Sequence, residues 1–123
     1  MRPGTGTEPG GDPGPDGGTA PGDGRIGELR LTIDDLDRRI VALLAERTTV
    51  VRTLTEYKRD EEAVRSPGRV EQVVAKVRGL AEEYGMPPGI AEATYRTLID
   101  ELTRLQLDRL AERRREAAPG ARS

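Results

Sequence analysis

The sequence contains no cysteine, no histidine, no tryptophan and no phenylalanine. Without cysteine the chain can form neither disulfides nor thiolate metal sites, and without histidine it lacks the commonest general base and metal ligand. With three tyrosines as its aromatic residues and a net charge of −2, it offers neither a stacking platform nor a basic surface for nucleic acid. The composition therefore disfavours metal, thiol and nucleic-acid chemistry.

Glycine and proline are concentrated at the beginning of the chain, where residues 1–24 hold nine Gly and five Pro. Such a segment buries too little apolar surface to offset its chain entropy, so we predict a disordered tail over residues 1–25. It lacks the apolar stretch of a signal peptide, and no segment reaches the roughly 20 apolar residues of a membrane span, which predicts a cytoplasmic protein. We expect one domain over residues 26–113 and a second disordered tail over residues 114–123.

The remaining sequence has the apolar periodicity of three α-helices and no strand pattern, which predicts an all-α fold. The first helix is predicted over residues 27–59, followed by a charged loop over residues 60–65. Ser66 is placed as the N-cap of a second helix over residues 67–84, because proline follows it at the first helical position. The third helix is predicted over residues 88–113.

The first helix is longer than a domain of this size. At 1.5 Å per residue it extends roughly 48 Å, whereas a globule of 100 residues is about 26 Å across, twice its radius of gyration. The two shorter helices cannot cover an apolar stripe of that length. We therefore predict a homodimer in which the long helices of two subunits pack along each other.

Three polar residues interrupt the apolar stripes, namely Arg47 and Lys58 in the first helix and Gln106 in the third. A buried guanidinium without a partner is unfavourable, and the stripe supplies no acid, so we predict a small anionic ligand inside a helical bundle. Eleven residues separate Arg47 from Lys58, which is about 20° past three turns and roughly 16 Å along the axis. The two cations therefore share one face.

Two further arginines are candidates for the same pocket. Arg69 opens the second helix and can face the interior. Arg30 lies roughly 26 Å before Arg47, too far for the pocket of its own subunit but within reach of the partner's pocket in an antiparallel dimer. Such a set of cations suits a dicarboxylate. Without an acid, base, nucleophile or metal, the site can bind its ligand or catalyse by preorganised electrostatics alone, and no cofactor is expected.

The segment Leu29–Arg47 resembles the opening helix of the all-helical chorismate mutases, whose pattern is L-R-x-x-I-D-x-[IL]-D-x-x-[IL]-[LV]-x-L-L-x-x-R. Tyr57-Lys58, Arg69 and Gln106 follow at the spacing of that family. The resemblance covers about residues 26–110. It implies an intertwined homodimeric helical bundle with two active sites and no cofactor or metal.

The resemblance also implies a role for each matching residue. Arg47, with Arg30 of the partner subunit, would bind the two substrate carboxylates. Lys58 and Gln106 would donate hydrogen bonds to the ether oxygen whose bond breaks in a Claisen rearrangement, and Arg69 would lie over the substrate. Negative charge grows on that oxygen in the transition state, so Lys58 would bind it more tightly there than in the ground state.

Three positions depart from the family pattern. Ser66 and Val70 stand where members usually carry an acid and a glutamate that contact the C4 hydroxyl of chorismate, and Leu102 replaces a small hydroxyl residue. Recognition of the C4 substituent is therefore expected to differ. Two relatives fit such a change: a 4-amino-4-deoxychorismate mutase in antibiotic biosynthesis, and an isochorismate-pyruvate lyase.

We favour the amino substrate because the chain has eighteen arginines and two lysines, a bias typical of the GC-rich actinobacteria. Chorismate mutase itself, making prephenate, is the first alternative and the lyase the second.

A helical dimerisation module without activity is the alternative from another class. Arg47 could extend its charge from a bundle edge, and Lys58 could interact with a helix dipole. A degenerate module would have lost its cations at random, whereas all of those implied by the resemblance are present. The basic run Arg113–Arg115 is interpreted as a solvated, fraying helix end.

Overall fold

A computed structural model describes residues 22–118. Those residues form an all-α protein without strands, as the sequence predicts. Its helices are α1 (Asp23–Thr55), α2 (Glu61–Arg65), α3 (Pro67–Glu83) and α4 (Pro88–Ala117). The chain divides after Arg47 into two compact units. Of the tails predicted over residues 1–25 and 114–123, residues 1–21 and 119–123 lie outside the described residues, whereas residues 23–25 and 114–117 are helical, so the prediction is wrong for them.

The first unit is, in its described part, the α1 segment that ends at Arg47. The helix begins at Asp23, within the segment predicted as a tail. Its apolar stripe is open to solvent: Ile33 is 54% exposed and Ile40 52%. This segment therefore carries an exposed apolar surface.

The second unit contains the end of α1 and the other three helices. Val77 and Ala81 of α3 pack against Ala91 of α4, with Val73 and Tyr95 beside them. This small apolar core fixes α3 against α4.

A tight turn joins α3 to α4. Gly85 has a φ of +78°, a left-handed conformation that glycine adopts without steric penalty. Its N–H donates to Glu82 O at 3.2 Å, and the N–H of Met86 donates to Ala81 O at 2.8 Å. These two bonds form a Schellman cap.

The segment predicted as a charged loop over residues 60–65 instead contains α2, so that prediction is wrong. Asp60 caps this helix by accepting a hydrogen bond from Ala63 N at 2.8 Å, and Val64 is buried. A helix of five residues is too short to show a period, and one buried side chain is enough to dock it. The periodicity therefore could not reveal it.

Ser66 occupies the N-cap position of α3, but the predicted side-chain cap is absent. The residue also ends α2, and its φ of 33° is left-handed. A capping serine normally has an extended backbone, which lets its hydroxyl reach the second or third amide of the helix. Here the left-handed backbone prevents that geometry, and the hydroxyl makes no cap hydrogen bond.

No helix within residues 22–118 has the length and apolar character needed to cross a membrane.

Candidate active site

Lys58 and Gln106, far apart in the sequence, meet in the second unit. Lys58 Nζ donates to Gln106 Oε1 at 3.0 Å. Gln106 is 7% exposed and Lys58 is half-buried. Both interrupt apolar stripes in the sequence, and the structure brings them into direct contact. We refer to them as the Lys58–Gln106 pair.

Thr55 is a third member of this network and was not identified from the sequence. Its side chain is 1% exposed, and its Oγ1 lies 3.0 Å from Gln106 Oε1 and 2.7 Å from Val51 O. A hydroxyl has one proton, so it donates to one of these acceptors at a time. The available signal was its position three residues before Lys58 in the predicted first helix, but a threonine in a helix is too ordinary to be singled out.

The contact with Lys58 also fixes the orientation of the Gln106 amide. An ammonium donates only, so the amide atom that faces it must be the oxygen. The Nε2 group of Gln106 consequently has two N–H donors, and it has no acceptor among residues 22–118. A buried donor without a partner is unfavourable, so this group is ready to bind an acceptor on a ligand.

Burial lowers the pKa of the Lys58 ammonium below its ordinary value. The cause is desolvation, which disfavours the charged form, and the neighbouring amide oxygen only partly replaces water. An ammonium in this setting gains more from a developing negative charge than a fully hydrated one would. The pair therefore offers donors from two side chains for one oxygen atom that becomes negative.

The backbone beside Lys58 is held by α4. Arg113 Nη1 donates to Thr55 O at 2.8 Å, and its Nη2 donates to Lys58 O at 3.0 Å. Arg114 adds a bond of 3.3 Å to Arg59 O and an ion pair with Glu61. The interpretation of residues 113–115 as a solvated, fraying end is therefore wrong for the first two, and α4 continues to Ala117.

An open cleft of about 490 Å³ reaches Thr55 and Gln106. Arg109, in its wall, binds Glu56 through bonds of 2.9 and 3.1 Å and lowers the pKa of that carboxyl. The whole lining contains three arginines and three carboxylates: Arg52, Arg109 and Arg115, with Glu56, Asp108 and Glu112. Without an excess of positive charge, it is poorly suited to a dicarboxylate.

The other candidate residues have the following positions. Arg69 is exposed in the first turn of α3, and its side chain makes no ion pair with another described residue. Ser66, Val70 and Leu102 are half-buried, the last one turn before Gln106 on α4.

Arg30, exposed, and Arg47, half-buried, lie on the α1 segment of the first unit.

Comparison with known proteins identifies the family of the chain. Residues 29–107 match the family model of type II chorismate mutases. A chorismate mutase of Methanocaldococcus jannaschii is 27% identical over 89 residues, which cover 72% of this chain and 90% of that protein. The matched segment contains the Lys58–Gln106 pair and Thr55. With a match that spans more than half of its length, this chain belongs to the type II chorismate mutase family.

Proposed function

We propose that this chain catalyses the [3,3] Claisen rearrangement of a chorismate-type substrate, with the Lys58–Gln106 pair as donors to the ether oxygen. The contact of 3.0 Å between Nζ and Oε1 carries the proposal. It leaves Gln106 Nε2 and the remaining ammonium protons for a ligand. As the C–O bond breaks and the new C–C bond forms, negative charge develops on that oxygen, and both groups stabilise it without transferring a proton.

Cations bind the rest of the substrate in this proposal. Arg47, together with Arg30 of the partner subunit, binds the two carboxylates, and Arg69 lies over the substrate. Guanidinium groups suit this role because their paired N–H donors match a carboxylate. The exposed position of Arg69 without an ion pair to another described residue supports its part, because a substrate anion would be its partner.

The assembly is a homodimer in this proposal. The exposed apolar stripe of α1, including Ile33 and Ile40, supports it, because a second copy of the same helix would cover that surface. Mixing Arg30→Ala subunits with Arg47→Ala subunits tests it. Each heterodimer would have one intact site, so random mixing should restore about a quarter of the wild-type activity. Absence of recovery would contradict a shared site.

The C4 substituent is the finer part of the proposal, and we favour 4-amino-4-deoxychorismate, rearranged to 4-amino-4-deoxyprephenate for antibiotic biosynthesis. Val70 provides no carboxylate, and the neighbouring Glu71 is bound by Arg96 at 3.0 and 3.1 Å. These hydrogen bonds lower the pKa of the Glu71 carboxyl. The Ser66 hydroxyl makes no cap bond, so it can accept a hydrogen bond from a C4 amino group.

The decisive assay offers chorismate, 4-amino-4-deoxychorismate and isochorismate separately to the purified protein and compares kcat/KM. Highest kcat/KM with the amino compound is the expected result. Preference for chorismate would contradict the C4 assignment and leave a prephenate-forming mutase, and pyruvate release from isochorismate would identify a lyase. No turnover of any of them would contradict catalysis and favour a dimerisation module.

A paired substitution tests whether Val70 sets the preference. Val70→Glu restores the carboxylate found in other members and should shift kcat/KM toward chorismate. Val70→Gln has the same size without the charge and serves as the matched control. An equal shift in both variants would show that shape, rather than a carboxylate, decides the preference.

A further inference from the structure

The backbone that carries Lys58 lies beyond the regular part of α1. The helix ends at Thr55. The amides of the next three residues each donate to the carbonyl three positions earlier, as in a 3₁₀ turn, and the last of these bonds joins Lys58 N to Thr55 O at 3.0 Å. A helix end leaves its final carbonyl groups without partners in the helix. The direction of the Lys58 side chain therefore depends on what holds this short turn.

Arg113, on α4, binds the backbone of this turn. The two ends of its guanidinium donate to Thr55 O at 2.8 Å and to Lys58 O at 3.0 Å. These two carbonyls bracket the turn, and a cation beside them is favoured by the dipole of α1. The planar fork of arginine can span both acceptors, which the compact ammonium of lysine cannot do in the same geometry.

Gln106 and Arg113 stand on one face of α4. They are seven residues apart, which is about 20° short of two turns and roughly 10 Å along the axis. Gln106 binds the Lys58 side chain while Arg113 binds the Lys58 backbone. One face of α4 thus binds both the side chain and the backbone of Lys58.

We infer that Arg113 is a positioning residue for Lys58, holding the turn at the end of α1 so that the ammonium remains beside Gln106. Arg113 lies six residues beyond the segment that matches the family model. The inference rests on the proposed function for its kinetic consequences. Its structural content, the immobilisation of Lys58, can be measured without turnover.

The kinetic test compares Arg113→Gln with Arg104→Gln. Arg104 lies on the same helix and makes an exposed ion pair with Glu101. Arg113→Gln should lower kcat about 10- to 100-fold, because displacement of a catalytic group by about 1 Å has effects of that order. KM should change less than about threefold, because the carboxylates are bound by other arginines. Arg113→Lys should remain impaired, and its full activity would contradict the inference.

Coupling to Lys58 separates positioning from general stability. In a Lys58→Met background, Arg113→Gln should reduce the remaining activity by less than about twofold, since no ammonium is left to position. A merely structural arginine would reduce activity by the same factor in both backgrounds. That additive result would overturn the inference.

The presence of only two lysines permits a direct test. In protein labelled with ¹³C at lysine, relaxation of the Lys58 ε-carbon should report an ordered side chain, with exposed Lys76 on α3 as the mobile reference. In Arg113→Gln and Arg113→Lys, the Lys58 signal should become as mobile as that of Lys76. An unchanged Lys58 signal in variants with wild-type circular dichroism would refute the inference.

The two proposals fail in different ways. If the wild-type chain turns over no chorismate-type substrate but Lys58 loses order on substitution of Arg113, the proposed function fails and the positioning stands. If the wild-type chain is active and Arg113→Gln leaves kcat and Lys58 order unchanged, the positioning alone fails.

Discussion

The hydroxyl of Thr55 lies 3.0 Å from Oε1 of Gln106, and both side chains are buried. This contact gives the Gln106 oxygen a second polar neighbour besides Lys58. The Lys58 ammonium keeps the amide from turning, because an inverted amide would place two donors, Nε2 and Nζ, against each other, and the Thr55 hydroxyl donates to the oxygen so oriented.

Thr55→Val should destabilise the protein and weaken catalysis without changing the volume of the side chain. Loss of the buried hydrogen bond should lower the free energy of unfolding by about 1 kcal/mol, and kcat should fall while KM changes little. Urea denaturation and steady-state kinetics measure both. Thr53→Val is the matched control, since Thr53 is an exposed threonine whose hydroxyl donates to Thr49 O in its own helix. Equal losses in the two variants would argue against a special role for Thr55.

Lys58→Met should mainly lower kcat. The substitution keeps the length of the side chain but removes a preorganised hydrogen-bond donor. Loss of such a donor lowers the rate on the order of 10²- to 10³-fold. KM should stay close to the wild-type value, because Lys58 acts on the oxygen that becomes negative only in the transition state. Lys76→Met removes the other lysine, exposed on α3, and should leave both constants unchanged. Near-normal kcat in Lys58→Met would show that the assigned role is wrong.

The lowered pKa of Lys58 predicts an alkaline limit to activity. The profile of kcat/KM against pH reports the free enzyme, so it should fall on the alkaline side at a pH below the ordinary lysine value of 10.5. Lys58→Arg should remove this limb, because arginine remains charged throughout the range. An alkaline limb that persists in Lys58→Arg would assign it to another group.

The lowered pKa of Lys58 also predicts how the free energy of unfolding changes with pH. Below its folded-state pKa, Lys58 is charged in both states, and burial of the charge destabilises the folded state. As pH rises through the window between the folded and the unfolded pKa, the unfolded chain binds more protons and the free energy of unfolding rises. Comparison of wild type with Lys58→Met by denaturation at several pH values would isolate this contribution.

Ser66 offers a test of local backbone strain. Ser66→Ala should change the free energy of unfolding by less than about 0.5 kcal/mol, because the side chain makes no cap bond, whereas loss of a working cap lowers it by about 1 kcal/mol. Ser66→Gly should be more stable than Ser66→Ala by about 0.5–1 kcal/mol, since its φ of 33° favours glycine. A loss of about 1 kcal/mol in Ser66→Ala would reveal a cap.

The three longer helices, α1, α3 and α4, were predictable because long apolar periods and the Ser66-Pro67 signal are local in the sequence. Lys58 and Gln106 were predictable for another reason: polar groups in apolar stripes need a partner. Arg113 was missed, because a basic run at a helix end has the same sequence pattern whether it is solvated or binds carbonyls of another helix. α2 was missed because Asp60 and Val64 define it through one cap and one buried contact.

The tight Schellman turn at Gly85 bears on the order in which the molecule assembles. It joins α3 and α4 through contacts that are close in sequence, so closing this hairpin loses little chain entropy. We expect the hairpin to form early, so that Gln106 and Arg113 already lie on one face of α4 when the end of α1 packs against it. Lys58 would then bind to side chains that are already in place, and its own position would be fixed late in folding.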